Sequence, residues 1–552
     1  MTVQLFPNAL GLESASWIRF QEKLFSSQLS RLELTDLTRN LDTNQVQTIR
    51  VRVWRNYACE PMESVVHLIG GYWNIAYEIT YAGYDDSFSF VDISPDRVSY
   101  DVELLLVDTS HYQLKHPELM EWLDHRSTFL SHITTTPVLC VTLGEKIDFR
   151  VDGKVVSSLY PDEQTDFYDV RYEKSTGSRL NPKTHYLLGR ELAATWLPER
   201  NTPPKKLLAI DLDFTLHAGI LGEEGHRVAV DDGFRSLQNE ILQAKQRGLM
   251  LAILSKNDRQ DVLSLFNEHP EYLLRESDFV LIEASWGSKS DAMLRVLQKT
   301  RINQDAVIFI DDNPVELMQM AAAFPEITCV SVDAGPDIAR KALNFVPGYR
   351  RSVEDHASDV RVKDLQSNED RERLISNGLA TYYETAQPVL KVSVRQNEDL
   401  ERLIDLGKRS NQFNLLLARN EMTAYIDPES TWVALSLEDR FSDSGIIGGI
   451  LCVKETDHSC KVIDLFLSCR VLGRGLETSL ICTGLLEATK QLSGSSLDLS
   501  WIIGDRNEPA LSWISKELLE TQIDAEGSIT MSFEEIEKLS HPPTGVKVEI
   551  TR

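Results

Sequence analysis

Short apolar runs recur along the chain, most of them followed by a polar or glycine-bearing loop and then by a segment with helical periodicity. Ile49–Trp54, Val102–Val107 and Val138–Leu143 read as buried strands, interleaved with helix-like pieces over residues 1–200. The stretch Asn201-Thr-Pro-Pro-Lys-Lys206 reads as a linker, since two prolines disfavour helix and strand alike. From 201 to 345 the pattern is βαβ: strands at Leu207–Ile210, Leu249–Leu254, Phe279–Ile282 and Ala306–Ile310, helices at Gly233–Arg247 and Ser290–Lys299. In the first helix Phe234, Leu237, Ile241 and Ala244 share a face, and Gly248 suits its C-terminal cap. Buried strands alternating with helices predict a parallel sheet with its site at the carboxyl ends of the strands.

Residues 346–390 are rich in charge and predict a helical bridge. Residues 391–552 predict a further α/β module, with strands at Val433–Leu437, Ile446–Val453 and Val462–Ser468 and a helix at Leu476–Lys490. A length of 552 residues exceeds what one core usually organises, in keeping with this division. No apolar run approaches the roughly 20 residues of a membrane span, and Met1–Ser14 lacks the pattern of a signal peptide. Seven scattered cysteines without a CxxC fit a reducing, cytoplasmic setting. A net charge of −27 argues against nucleic acid and anionic membranes as partners. An anionic partner would need a local basic patch, for which Lys205, Lys206, Arg350 and Arg351 are the candidates.

Four features follow predicted strands of the central module: Asp211-Leu-Asp213-Phe-Thr215, Ser255 with Lys256 and Asn257, Lys289 in Trp286-Gly-Ser-Lys289-Ser290, and Asp311-Asp312-Asn313-Pro314. Asp211 and Asp213 flank a residue that points the other way, so both carboxylates face one side of the strand exit. Asp211 is the candidate nucleophile, forming an aspartyl-phosphate, and Asp213 the candidate proton shuttle. Asp311 or Asp312, with Asp211 and the backbone carbonyl of Asp213, offers hard oxygen ligands for Mg²⁺. Thr215, Ser255 and Lys289 are the candidate phosphate ligands.

This order of motifs resembles the haloacid-dehalogenase (HAD) superfamily. The stretch Asp211-Leu-Asp213-Phe-Thr215-Leu-His217-Ala-Gly-Ile-Leu-Gly-Glu-Glu-Gly225 is similar to the DLDNTLWGGxxGEDG form of its FkbH-like subfamily. Trp286–Ser290, Phe309–Pro314, Ser410–Asn414, Leu437–Phe441 and Ser468–Glu477 resemble further blocks of that subfamily. The resemblance is close over 205–490 and looser before it. It implies removal of phosphate from 1,3-bisphosphoglycerate and loading of the glyceryl unit onto the phosphopantetheine thiol of an acyl carrier protein, in polyketide and related secondary-metabolite biosynthesis. Two other readings stay open: a phosphatase or acyl-phosphate transferase for a different acyl group, and a non-catalytic, carrier-binding component of a synthase.

Three residues depart from the subfamily. Phe214 stands where Asn is usual, and His217 where Trp is usual, with an expected effect on the substrate side of the pocket. Leu254 replaces the cysteine of Ala-Ile-Cys-Ser-Lys-Asn, which excludes a thioester at that position. Cys469 is the substitute candidate for an acyl-carrying thiol.

Arg470-Val-Leu-Gly473-Arg-Gly475, between a strand and a helix, has the R-x-x-G-x-G form of GNAT-type acyltransferases and is the candidate loop for CoA or pantetheine. Near the N-terminus, Thr184-His185-Tyr-Leu-Leu-Gly189 resembles the histidine block of SGNH hydrolases. Its partner aspartate is missing, with Pro182 in that place, and Arg55-Asn56-Tyr57 stands where the serine block belongs. The N-terminal region is therefore expected to be a non-catalytic scaffold. The expected fold is α/β: a central HAD-type, Rossmann-like parallel sheet flanked by an SGNH-like N-terminal and a GNAT-like C-terminal α/β domain.

Overall fold

A buried strand must satisfy its backbone N–H and C=O groups, and the apolar runs do so by pairing into three sheets. The computed structural model describes residues 20–25, 47–90, 99–109, 112, 116–134, 136–143, 150–151, 154–159, 168–202, 204–350, 367–410, 412–418, 420, 422–456, 458–468, 471–504, 507–519, 521–523 and 525–552. The architecture is mixed α/β. The chain divides into two compact units, Met1–Gln298 with Ile302–Asp355, and Lys299–Arg301 with His356–Arg552.

The first unit holds two sheets. One has the order β2-β1-β3-β4-β6-β5, from β1 (Gln47–Arg55), β2 (Ile75–Tyr84), β3 (Val102–Asp108), β4 (Val138–Leu143), β5 (Arg150–Val151) and β6 (Lys154–Leu159). Only the β5–β6 pair is antiparallel. The other sheet is wholly parallel, in the order β11-β10-β7-β8-β9. Its strands are β7 (Leu207–Ile210), β8 (Met250–Ser255), β9 (Leu281–Ala284), β10 (Val307–Asp311) and β11 (Thr328–Ser331). β7 and β10 are neighbours, and the connections leave them toward opposite edges of the sheet. Their carboxyl ends therefore flank the crevice where open α/β sheets bind ligands. Ile210 pairs with Ile310, so Asp211 and Asp311 leave the sheet side by side.

Helix Asp232–Gln246 buries the expected face of Phe234, Leu237, Ile241 and Ala244. The Asp231 side chain caps its start by accepting from the Phe234 N–H at 3.0 Å. Gly248, at φ +98°, turns the chain out of the helix into β8, a conformation that suits glycine. The helical segment 20–25 is tied to the central sheet: the Gln21 carboxamide donates to the Ser331 carbonyl (2.8 Å) and accepts from its N–H (3.1 Å), covering the edge of β11.

The basic candidates Lys205, Lys206, Arg350 and Arg351 fall as follows. Lys205 is buried, and its Nζ donates to the Asp305 carbonyl and to Thr328 Oγ1, each at 2.7 Å. Burial pushes its pKa down to about 8. Arg350 is paired with Glu191 at 2.8 Å, and Arg351 lies outside the described residues.

The second unit is built on an eight-stranded mixed sheet, β18-β17-β16-β15-β14-β12-β19, with β13 paired to β16. The strands are β12 (Val389–Val394), β13 (Phe413–Asn414), β14 (Ser430–Glu438), β15 (Asp443–Lys454), β16 (Ser459–Leu467), β17 (Ser496–Trp501), β18 (Gly527–Ser532) and β19 (Lys547–Thr551). Helix Glu477–Gln491 packs into the larger of two apolar clusters and helix Asn397–Arg409 into the other. Of the expected bridge, 351–366 lies outside the described residues, and helices Asn368–Ser376 and Leu379–Ala386 pack onto the larger cluster. No helix among the described residues is long and apolar enough to cross a membrane.

The block Leu437–Phe441 has a structural role here. Asp439 accepts from Arg371 Nε (2.7 Å) and Nη2 (2.9 Å), from Tyr382 Oη (3.2 Å), and from the Phe441 and Ser442 amides. Both members of the ion pair are buried. Burial alone would raise the Asp439 carboxyl, but Arg371 and the amide donors outweigh it and hold it below the usual carboxylate range. Asp439→Asn, which strands the buried guanidinium, is expected to destabilise the second unit by about 3–5 kcal/mol, read as a lower urea midpoint. The stabilisation is present above the unfolded carboxylate value of about 4 and is lost as pH falls through the lower folded value. The variant should lose that acid limb of its stability profile.

Candidate active site

Four strand ends of the central sheet bring the expected residues together. Lys289, the first residue of helix Lys289–Thr300, reaches back so that its Nζ lies 2.7 Å from Asp211 Oδ1 and 2.6 Å from Asp311 Oδ2. All three side chains are buried. Burial and the neighbouring Asp311 push the Asp211 carboxyl up to about 7, against the pull of Lys289. Asp311 is pushed up to about 6 by burial, and Asp312 to about 6 by burial and Asp211. Burial disfavours the Lys289 charge, but the two carboxylates outweigh it and hold its pKa above the usual lysine value.

Asp211, Asp311 and Asp312 each offer one oxygen, all within 4.8 Å of one another. Three hard donors whose charges repel one another suit a divalent cation, and Mg²⁺ fits this donor set. The carboxylate of Asp213 is turned elsewhere. Its Oδ1 accepts from the Leu221 N–H (3.0 Å) and lies 3.2 Å from His217 Nε2, and its Oδ2 accepts from Asn257 Nδ2 (2.9 Å). Burial would raise this carboxyl, yet these donors outweigh it and hold it below the usual range. The Asp213 carboxylate is thus not among the three that could share an ion.

Around the acids lie the phosphate candidates. Ser255, buried at the end of β8, accepts from Asn257 Nδ2 at 2.9 Å. Thr215 is buried and its hydroxyl has no hydrogen-bond partner, an unmet polar group that a phosphoryl oxygen would satisfy. Lys256 is turned away, paired with Glu316 at 2.5 Å. Sequence reasoning gave Asn257 no role, although its place two residues after Ser255 puts both on one side of the strand exit. Tyr272 carried no signal at all, being 55 residues from the group it contacts, His217.

The departures from the subfamily fall as follows. Phe214 has φ +56°, which turns the chain so that Asp213 and His217 form a one-residue bridge. That conformation costs a bulky residue roughly 1–2 kcal/mol, whereas asparagine takes it readily. Phe214, directly after Asp213, is 46% exposed. His217 is fully buried beneath Asp213, so its expected place on the substrate side is corrected: it faces the acid and not the opening. Leu254 is fully buried within β8.

Elsewhere the chemistry is quieter. Ser178 Oγ donates to the Ala58 carbonyl (2.8 Å), so at its 3.0 Å contact with His185 Nε2 it is the imidazole that donates. A nucleophilic serine needs the opposite polarity. In the second unit, Gly473 (φ +81°) and Gly475 (φ +68°) form a tight loop before helix Glu477–Gln491. The Gly473 N–H is taken by the Glu477 carboxylate at 2.5 Å, a negative group at the place offered to a pyrophosphate. β16 and β17 pair only over Ser459–Lys461 with Ser496–Asp498. Farther along, β13 pairs with Phe466 and Leu467, and the Leu415 carbonyl accepts from the Ile502 N–H, so the chain itself fills the opening between them. Cys469 and Arg470 lie outside the described residues, and the six described cysteines are all buried.

No family model and no curated protein matches the chain. Among solved structures, it is similar to the N-terminal part of BF1531 from Bacteroides fragilis, described as containing a phosphatase domain complexed with Mg, at 18% identity and TM-score 0.45 over 59% of this chain and 100% of that one. It is also similar to the spermidine N-acetyltransferase from Vibrio cholerae in complex with CoA and spermine, at 12% identity and TM-score 0.20 over 27% and 98%. With TM-scores this low, neither likeness carries an inference about this chain's activity.

Proposed function

We propose that the chain is a Mg²⁺-dependent enzyme that removes phosphate from an acyl phosphate, with 1,3-bisphosphoglycerate as donor and the thiol of an acyl carrier protein as acceptor, in polyketide or related secondary-metabolite biosynthesis. The carrying observation is the buried Asp211–Lys289–Asp311 cluster with Asp312 beside it, at the switch point of a parallel sheet. Mg²⁺ held by Asp211, Asp312 or Asp311 and the Asp213 carbonyl would neutralise the acids and the phosphoryl oxygens. Lys289, Ser255 and Thr215 then bind the phosphate, and Asp213, held as a carboxylate, is the base.

Two bond changes are open to this site. Asp211 can attack phosphorus, breaking the P–O bond to the acyl oxygen and releasing a free carboxylate. Water with Asp213 as base then frees phosphate. Alternatively a thiol, losing its proton to Asp213, attacks the acyl carbon; a C–S bond forms, the acyl C–O bond breaks, and phosphate leaves with the bridging oxygen. Acyl loading requires the second route. Leu254 and the buried state of the described cysteines favour a thiol supplied by the carrier itself. A macromolecular acceptor also suits the rim, where exposed Phe214, Ile220, Trp286 and Val315 follow β7, β9 and β10. The exposed Phe214, directly after Asp213, favours, as a second reading, an acyl group other than glyceryl.

Phosphate release from 1,3-bisphosphoglycerate should require Mg²⁺ and fall more than ~1,000-fold in Asp211→Asn with the fold intact; unchanged turnover would sink the reading. In ¹⁸O-labelled water, phosphate gains one ¹⁸O by the first route and none by the second, and only the second adds mass to a carrier protein. Asp312→Asn is expected to raise the Mg²⁺ concentration for half-maximal rate by at least ~10-fold. CoA binding, by calorimetry on the full chain, should be weaker than about 1 mM, since the Gly473 amide and the β16–β17 opening are already occupied.

A further inference from the structure

His217 is the departure from the subfamily that the proposed chemistry leaves unused. Its side chain is fully buried between Asp213 and Tyr272. Asp213 accepts from the Leu221 N–H and Asn257, so at Oδ1 the imidazole Nε2 is the donor. Nδ1, on the other side of the ring, is hydrogen-bonded to the Tyr272 hydroxyl at 2.5 Å. Tyr272 is itself buried, wedged against Phe266 and His269 at ring distances of 5.7 and 5.4 Å. Hydrogen bonds thus link Tyr272 to His217 and His217 to Asp213, with packing behind each link.

The consequence is geometric. Asp213 stands on a loop that turns through the left-handed Phe214, where a carboxylate on two rotatable bonds has several orientations open to it. Asn257 holds one oxygen and at the same time holds Ser255. His217 holds the other oxygen from beneath. We propose that His217, backed by Tyr272, is the positioning residue that aims the Asp213 carboxylate at the group from which it takes a proton. It touches neither substrate nor phosphate and acts only through Asp213. This assignment rests on the phosphoryl-group reading above for its effect on rate, while the contact itself does not.

The alternative is a histidine that merely fills the core. The two differ in what a substitution does. His217→Phe keeps bulk and loses the donor; His217→Gln offers a shorter donor at the same place. For a positioning residue, His217→Phe lowers kcat for phosphate release by about 10–100-fold with KM within twofold of wild type, and His217→Gln restores a large part of the loss. Tyr272→Phe, which frees the imidazole to turn, gives a smaller fall in kcat in the same direction. Equal losses in the Phe and Gln variants that track their thermal midpoints, or an unchanged kcat in a folded His217→Phe, overturn the proposal.

A readout independent of activity comes from ¹⁵N-histidine-labelled protein. The resonance absent from His217→Gln should be the one that moves in Asp213→Asn and again in Tyr272→Phe. If it moves in neither, these hydrogen bonds do not exist and the proposal fails whatever the activity. If it moves in both while the wild type releases no phosphate under any condition, the contact stands and the phosphoryl-group reading is what has failed.

Discussion

One ammonium group organises the central site. Lys289 lies between Asp211 and Asp311, two buried carboxylates that leave adjacent parallel strands at the same level. Without a cation between them, two ionised acids in so dry a place would repel each other, and one would stay protonated. Lys289 offsets the repulsion in part, yet both carboxyls remain above their usual range, and Asp312 adds a third acid. An array of acids that one lysine leaves under-neutralised is what a divalent cation and a phosphoryl group would complete, the cation facing the acids and the anion facing the lysine. The stability of the strand ends and the chemistry proposed for them thus depend on the same charge balance.

One buried acid of the second unit shows the opposite balance. At Asp439 the buried charge is closed: it has Arg371 in bidentate contact, Tyr382 and two backbone amides, and its carboxyl lies below the usual range. The Gly473 amide is met by Glu477, and the gap beyond the β16–β17 pairing by β13. A polar group whose partners all come from its own chain fixes a structure, while one left with an unmet valence, such as the Thr215 hydroxyl, marks a place for something else.

Much of the central sheet was legible in the sequence because its strands are short, apolar throughout and followed by residues with no other reason to cluster. The boundaries shifted by a residue or two, as for Leu249–Leu254 against the observed Met250–Ser255. β11 was missed: four residues give too little pattern, and its burial comes from β10 and from the Gln21 side chain, over 300 residues away in sequence. β2 was missed because its alternation fades into exposed polar positions toward its end. In the site, the candidates that the structure brings together are those attached directly to strand ends. Tyr272 and the downward turn of His217 depend on how a loop folds over the sheet, and no spacing in the sequence encodes that. The burial of Lys205 was hidden for a related reason, since a lysine at a strand start can as well turn inward to carbonyls.

The two aspartates of the first motif, one residue apart, carry this contrast in miniature. Asp211 has a like charge and a lysine for company and is pushed up; Asp213 has only donors and is held down. Carboxylates of the same type with environments that part their proton affinities are suited to different tasks. Asp211, beside the cation candidates, is placed to meet phosphorus. Asp213, ionised and pinned by Asn257, Leu221 and His217, is placed to accept a proton rather than to give one. An acyl phosphate, the donor class proposed above, would suit such an arrangement, because its leaving group departs as a stable anion, phosphate or carboxylate according to the bond broken, and asks for no proton. In that reading a phosphate ester of an ordinary alcohol would need an acid at the place where Asp213 is held as a carboxylate.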